Sequence, residues 1–287
     1  MKNRSETIKG YAAVLGTALL WSIGGLFIKL VPWAAMSINA ARCFVAMLVK
    51  TGVRRSVRIR FSPKVILAGA CFAGMSTFFT LANKYTTSAN AILLQYSAPL
   101  FVMLFAWLHT GKRPRLSDGA ISVAIIAGIA LCCMDSLGGG SAVGNIYAVL
   151  AGTCFALMLY VNALPGADPD SANYLGFLLS VLVGLPALLR ETVFTAEVLG
   201  CIFVLGAFQS GAAYMLMEYG ITRVSALSVL FISAIEPILN PVWVAVFYGE
   251  TIGPLAVLGG VLVIAASTLH SVLESRAEQT AQDTADL

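Results

Sequence analysis

The sequence predicts an all-α integral membrane protein of ten transmembrane helices in two inverted five-helix repeats, and three observations carry that prediction. Of 287 residues, 59% are hydrophobic and 11% charged, against about 25% charged in soluble domains; mean hydropathy is +0.86. Ten apolar runs are long enough to cross a bilayer, which takes about 20 helical residues. Short motifs of the first half recur in the second at a nearly constant offset. So few charges exclude a secreted disulfide scaffold, a nucleic-acid binder and a cytosolic enzyme. They also turn the net charge of +4 into a question of topology.

The first run, 10–31, follows Lys2, Arg4 and Lys9 as the core of a signal peptide would. It exceeds the usual length of about 7–15 residues and reads as a retained first span. Spans follow at 35–52, 63–83, 88–110 and 117–135, which closes a first five-helix repeat over 1–137. Gly138-Gly139-Gly140-Ser141 lacks the strand and lysine of a phosphate loop and reads as a flexible external linker over 138–142. The second repeat, 143–273, holds spans at 143–163, 171–189, 197–218, 223–248 and 252–273. These runs are apolar on every face for several turns, whereas barrel strands alternate with period two. The polar tail, 274–287, has no apolar periodicity and is expected to be a disordered cytoplasmic segment. All six cysteines lie in apolar runs without metal-ligand spacing and read as packing residues.

Cytoplasmic loops carry an excess of Lys and Arg. With the N-terminus inside, fourteen of the eighteen basic residues fall on the cytoplasmic side, which puts both termini in the cytoplasm. The loop Leu164 to Asp170 should also be cytoplasmic, yet it is acidic.

The recurring motifs are Gly69-Ala70-Cys71-Phe72-Ala73-Gly74 against Gly206-Ala207-Phe208-Gln209-Ser210-Gly211, and Pro99 before Gly111-Lys112 against Pro237 before Gly249-Glu250. Gly10 pairs more weakly with Gly144. Five spans per half is an odd number, so the second half must enter from the opposite side. Inverted repeats are characteristic of secondary transporters, where two pseudo-symmetric arrangements alternate around one midplane site.

Polar groups within spans then become candidates for that site, because an ionisable side chain at the bilayer centre costs about 3 kcal/mol or more. Glu236 lies deep in the ninth span beside Pro237, which frees a helical carbonyl. With Ser228 and Asn240 it forms a polar stripe at helical spacing. A carboxyl at such a depth can relay protons, so Glu236 is also the candidate coupling residue, with the proton as coupling ion. The competing role is satisfying the broken helix. Asn90, the repeat equivalent of Ser228, and Gln95 lie in the fourth span, where amides equally serve as interhelical glue at about 0.6 kcal/mol. Trp21 sits mid-span rather than in an interfacial belt. Arg42, inside the second span, could snorkel, pair with an acid or hold an anion, and structural anchoring is the favoured reading. Glu218 and Lys84 fall at span ends.

The pattern Ala18 to Ser22, Arg42, the small residues before Pro99 and Glu236-Pro237, and the Gly-Lys or Gly-Glu pairs after the fourth and ninth helices resembles the EamA type of the drug/metabolite transporter superfamily over nearly the whole chain. The resemblance implies a multi-pass carrier of the cytoplasmic membrane, often an exporter of amino acids or other small metabolites, with a central cavity lined by both halves. It implies that Tyr160 and Asn162 of the sixth span and Gln209 and Tyr214 of the eighth border that cavity. One departure is Ser97-Ala98-Pro99 in the first half where the second has Ile235-Glu236-Pro237, so the acid occurs once. The expected protein is therefore a non-enzymatic secondary carrier for a small molecule, without cofactor or metal and without nucleic-acid partners. An intramembrane enzyme or a passive channel is the alternative.

Overall fold

The computed structural model describes residues 4–55, 59–86, 88–132, 141–239, 243 and 254–285. Among these residues the regular structure is all helical, with ten apolar segments matching the ten expected spans in order. The seven longest are Ser5–Leu30, Ala35–Arg54, Pro63–Tyr85, Asn90–Thr110, Ala142–Ala163, Pro169–Leu188 and Ala196–Ile221. Leu116–Leu131, Ala226–Leu239 and Val257–His270 supply the fifth, ninth and tenth. Starts are set by side chains that accept from the first exposed amides: Ser62, Ser141, Asp168, Thr195 and Ser225 each cap a span. Pro63 and Pro169, which need no amide partner, follow two of these caps.

Two boundaries differ from the sequence reading. The first helix is already formed at Arg4, where Glu6 pairs with Lys9 one turn on and with Arg223 across the bundle. The last helix continues from Pro254 to Ala285 through most of the tail expected to be disordered. Ala, Glu, Gln and Arg are strong helix formers, and extending an existing helix avoids the cost of nucleation. Asn240, Gly249-Glu250 and 138–140 of the linker lie outside the described residues.

Polar contacts show which helix ends share a face. At the N-terminal face, Arg223 after the eighth span donates to Glu6 of the first at 2.9 Å. There too, Lys64 at the start of the third donates to the Pro165 carbonyl after the sixth. At the opposite face, Trp33 Nε1 donates to the Val193 carbonyl at 2.7 Å, and the Ala34 amide to Glu191 at 2.9 Å. Thr86 donates to Asn145 there, again at 2.9 Å. The first span thus begins on the face where the sixth ends, and the second half runs inverted to the first. The outer surface is apolar, with Leu48, Leu108, Leu182, Val183, Phe203 and Val261 each more than half exposed. Such a surface suits hydrocarbon rather than water, and the chain is a multi-pass membrane protein.

The small residues mark where the halves grip each other, and they do so in matched pairs. A methyl at Gly69 would stand 3.0 Å from the Ala172 carbonyl and from Leu175 of the seventh span. One at Gly206 would stand 2.9 Å from the Arg42 carbonyl and 2.4 Å from Val45 Cβ of the second. Likewise Gly10 packs on Arg223, and Gly144 packs on Thr86, which occupies the corresponding turn of the other half. Gly206→Ala is expected to lower stability by about 1–3 kcal/mol through overpacking, read as a fall in melting temperature of the detergent-purified protein. An unchanged melt would mean that the second and eighth spans separate freely.

Candidate functional site

Three spans break at about mid-length. The first is interrupted between Trp21 and Gly24, the fourth between Gln95 and Ala98, and the ninth at Ala234. Pro99 and Pro237 explain two of these breaks, since proline offers no amide to the carbonyl four residues earlier. Ser233 is the residue whose carbonyl Pro237 frees, and the Tyr96 hydroxyl donates to it. Gln95 holds the corresponding carbonyl in the fourth span. Gly152 of the sixth passes so close that a Cβ there would lie 2.6 Å from it. The eighth span is π-helical over Leu205–Ala212 and buries Gln209 within this widened turn. Single π turns of this kind recur at functional sites.

Around these irregularities lies a small cavity. Trp21, Gln95, Gln209, Tyr214 and Glu236 of the residues proposed from sequence line it together. Arg42, Met75, Ser76 and Phe79 complete the wall. Asn90 lies elsewhere, donating to Thr86 near the opposite face. Ser228 is fully buried in the first turn of the ninth span, and Tyr160 meets His109 at 2.7 Å at the N-terminal face. Tyr160 and Asn162 instead line a separate groove with Val102, Ala106 and the turn after the eighth span.

Arg42 is 3% exposed and organises one wall. Its Nη2 donates to Ser76 Oγ at 2.8 Å and to Asn39 Oδ1 at 3.1 Å, and its Nη1 donates to Gln209 Oε1 at 3.2 Å. Ser76 also donates to Asn39 at 2.6 Å, so the network is closed on itself. Glu236 faces the same cavity at 9% exposure and accepts from Tyr96 at 3.3 Å. The aromatic side is built by Trp21, whose ring centre lies 5.3 Å from that of Tyr214 and 5.6 Å from that of Phe155. Asn39 and Ser76 escape a reading of the sequence because each is an ordinary small polar residue until Arg42 is seen between them.

A second charged cluster ties the N-terminal face. Lys50 of the second span is completely buried and pairs with Glu218 at the end of the eighth and, at 3.1 Å, with Asp170 at the start of the seventh. Arg54 reaches both acids, at 3.2 and 3.3 Å, and Asn173 donates to Glu218 at 2.8 Å. This accounts for the acidic loop that stood against the charge pattern. Asp168 caps the seventh helix, and Asp170 neutralises a buried lysine.

Similarity to known proteins agrees with this architecture. One family, described as EamA-like transporter family, matches the chain twice, over residues 8–134 and 142–272. The chain is 28% identical over 274 residues to "Uncharacterized transporter YwfM" of Bacillus subtilis, covering 88% of this chain and 93% of that protein. It is 25% identical over 252 residues to "Threonine/homoserine exporter RhtA" of Escherichia coli K12, covering 85% and 84%. A chain in a solved crystal structure superposes with a TM-score of 0.77 at 20% identity, over 96% of this chain and 99% of that one, and so shares the fold.

Proposed function

The chain belongs to the EamA-like transporter family, and from that premise we propose that it is a secondary carrier exporting small organic metabolites of the amino-acid class across the cytoplasmic membrane by alternating access. The observation that carries the proposal is the polar cavity placed where spans of both halves break, with an arginine on one wall and a glutamate among the others. Inverted halves provide two pseudo-equivalent arrangements around such a site. The relative named as a threonine/homoserine exporter supports the substrate class. Lys50, Glu218, Asp170 and Arg54 form the closure at the N-terminal face. The contacts of Trp33, Ala34 and Lys84 form its counterpart at the opposite face. Glu236 is the site of proton coupling in this reading.

Purified protein in liposomes is expected to give saturable counterflow without ATP, unlabelled substrate on one side accelerating labelled flux from the other. Flux linear in concentration, with no acceleration, would mean a passive channel instead.

Both termini are cytoplasmic in this reading, and the linker is external. In a background without native cysteines, Ser141→Cys is expected to react with an impermeant thiol reagent on intact cells, whereas Ser5→Cys and Thr280→Cys are not. The reverse pattern would overturn the orientation.

A further inference from the structure

Two buried cations on the second span are treated in opposite ways. Lys50 is neutralised by carboxylates of two other helices. Arg42, two turns earlier, has only neutral acceptors: Asn39, Gln209 and Ser76. Among the described residues no carboxylate lies within ion-pair reach of it. A guanidinium never gives up its charge in a protein, and an uncompensated buried charge is costly. A purely structural arginine would be expected to resemble Lys50. The neutral groups here fix the orientation of the guanidinium and leave its charge, together with a second N–H on Nη1, unanswered.

The same cavity holds another unspent donor. Trp21 Nε1 is buried, with the residue 6% exposed, and has no hydrogen-bond partner. Buried indole N–H groups ordinarily find an acceptor. Glu236 brings a carboxyl to the same cavity and is held by a single long hydrogen bond from Tyr96. The cavity is about 20 Å³ here, room for about one water, so a substrate would need the helices around these side chains to part.

We propose, resting on the carrier reading above, that the cavity recognises a small zwitterion by both charges: Arg42 with Trp21 Nε1 binds the substrate carboxylate, and Glu236 receives its ammonium group. Arg42 is then the residue that sets specificity. Its planar fork matches a carboxylate in a way that a lysine cannot.

The test uses wild-type protein in liposomes and three probes of similar size: L-threonine, L-threonine methyl ester, which lacks the carboxylate, and 2,3-dihydroxybutyrate, which lacks the amine. L-Threonine is expected to drive counterflow, and each one-charge analogue to compete at least about ten-fold more weakly, because buried polar groups of the site are left unpaired. Arg42→Lys is expected to raise half-saturation for L-threonine about ten-fold while leaving competition by the ester unchanged. Should that variant fail to fold, the wild-type series decides alone. An ester that competes as well as the amino acid, or an Arg42→Lys variant that weakens both alike, would overturn the proposal and leave the carrier standing. If L-threonine is inert, the other amino acids are tried in turn. Counterflow confined to solutes without both charges would overturn the zwitterion proposal alone, and no counterflow with any solute would remove both readings.

Discussion

Glu236→Gln is expected to give a folded protein that exchanges substrate between equal pools yet no longer responds to a pH gradient. The amide keeps the shape of the protonated acid and can still accept from Tyr96, so the fold has little reason to change. It cannot exchange a proton, and a flux that depended on loading and unloading that proton loses its coupling. The structure sharpens this experiment. The competing role for a glutamate beside Pro237 is to satisfy the broken helix, but the freed carbonyl of Ser233 is served by the Tyr96 hydroxyl, so Glu236 is not needed there. Half-saturation is expected to rise, since the ammonium of the substrate would meet a dipole instead of a charge. If pH-driven flux survives unchanged, Glu236 has no part in coupling.

Glu218→Ala is expected to be the most destabilising single change in the charged clusters. It leaves Lys50 buried beside only the half-exposed Asp170, and breaking a buried pair in this way costs about 3–5 kcal/mol. The remaining acid moves the expected cost toward the lower end. Adding Lys50→Met removes the stranded charge and should recover most of the loss, which thermal melts of the two variants would show. If the double variant melts no higher than the single one, Lys50 is not the source of the instability. If the cluster closes the N-terminal face, the double variant should also let a thiol reagent reach Gln95→Cys from that face faster than in the parent.

The ten spans and their inversion are legible in sequence because the apolar runs are long and the odd number of helices per half forces the second to reverse. The breaks in the fourth and ninth spans are legible too, each announced by a proline. Trp21 and Glu236 stand out at mid-span because such residues are expensive or unusual there. What the sequence hides is partnership between helices. Asn90 and Ser228 occupy matched positions in the two halves, yet both sit in first turns near a face, away from the cavity. Nothing in Leu205–Ala212 announces a π turn, since its glycines also suit an ordinary packed helix. Arg42 looks like an anchor until its partners are seen to be neutral. Asp170 looks like a defect in the charge pattern until Lys50 is found beside it.

The matched glycine contacts have a mechanical consequence. Gly10 is pressed against the turn at Arg223 on one face, and Gly144 against the turn at Thr86 on the other, each joining the first helix of one half to the third–fourth corner of its counterpart. In the carrier reading, a rocking motion that opened one corner would be geared to the other through these interlocked helices, as two levers crossing at a shared pin. A carrier built this way would need no separate signal to keep both doors from standing open at once, since the leverage that parted one side would draw the other together.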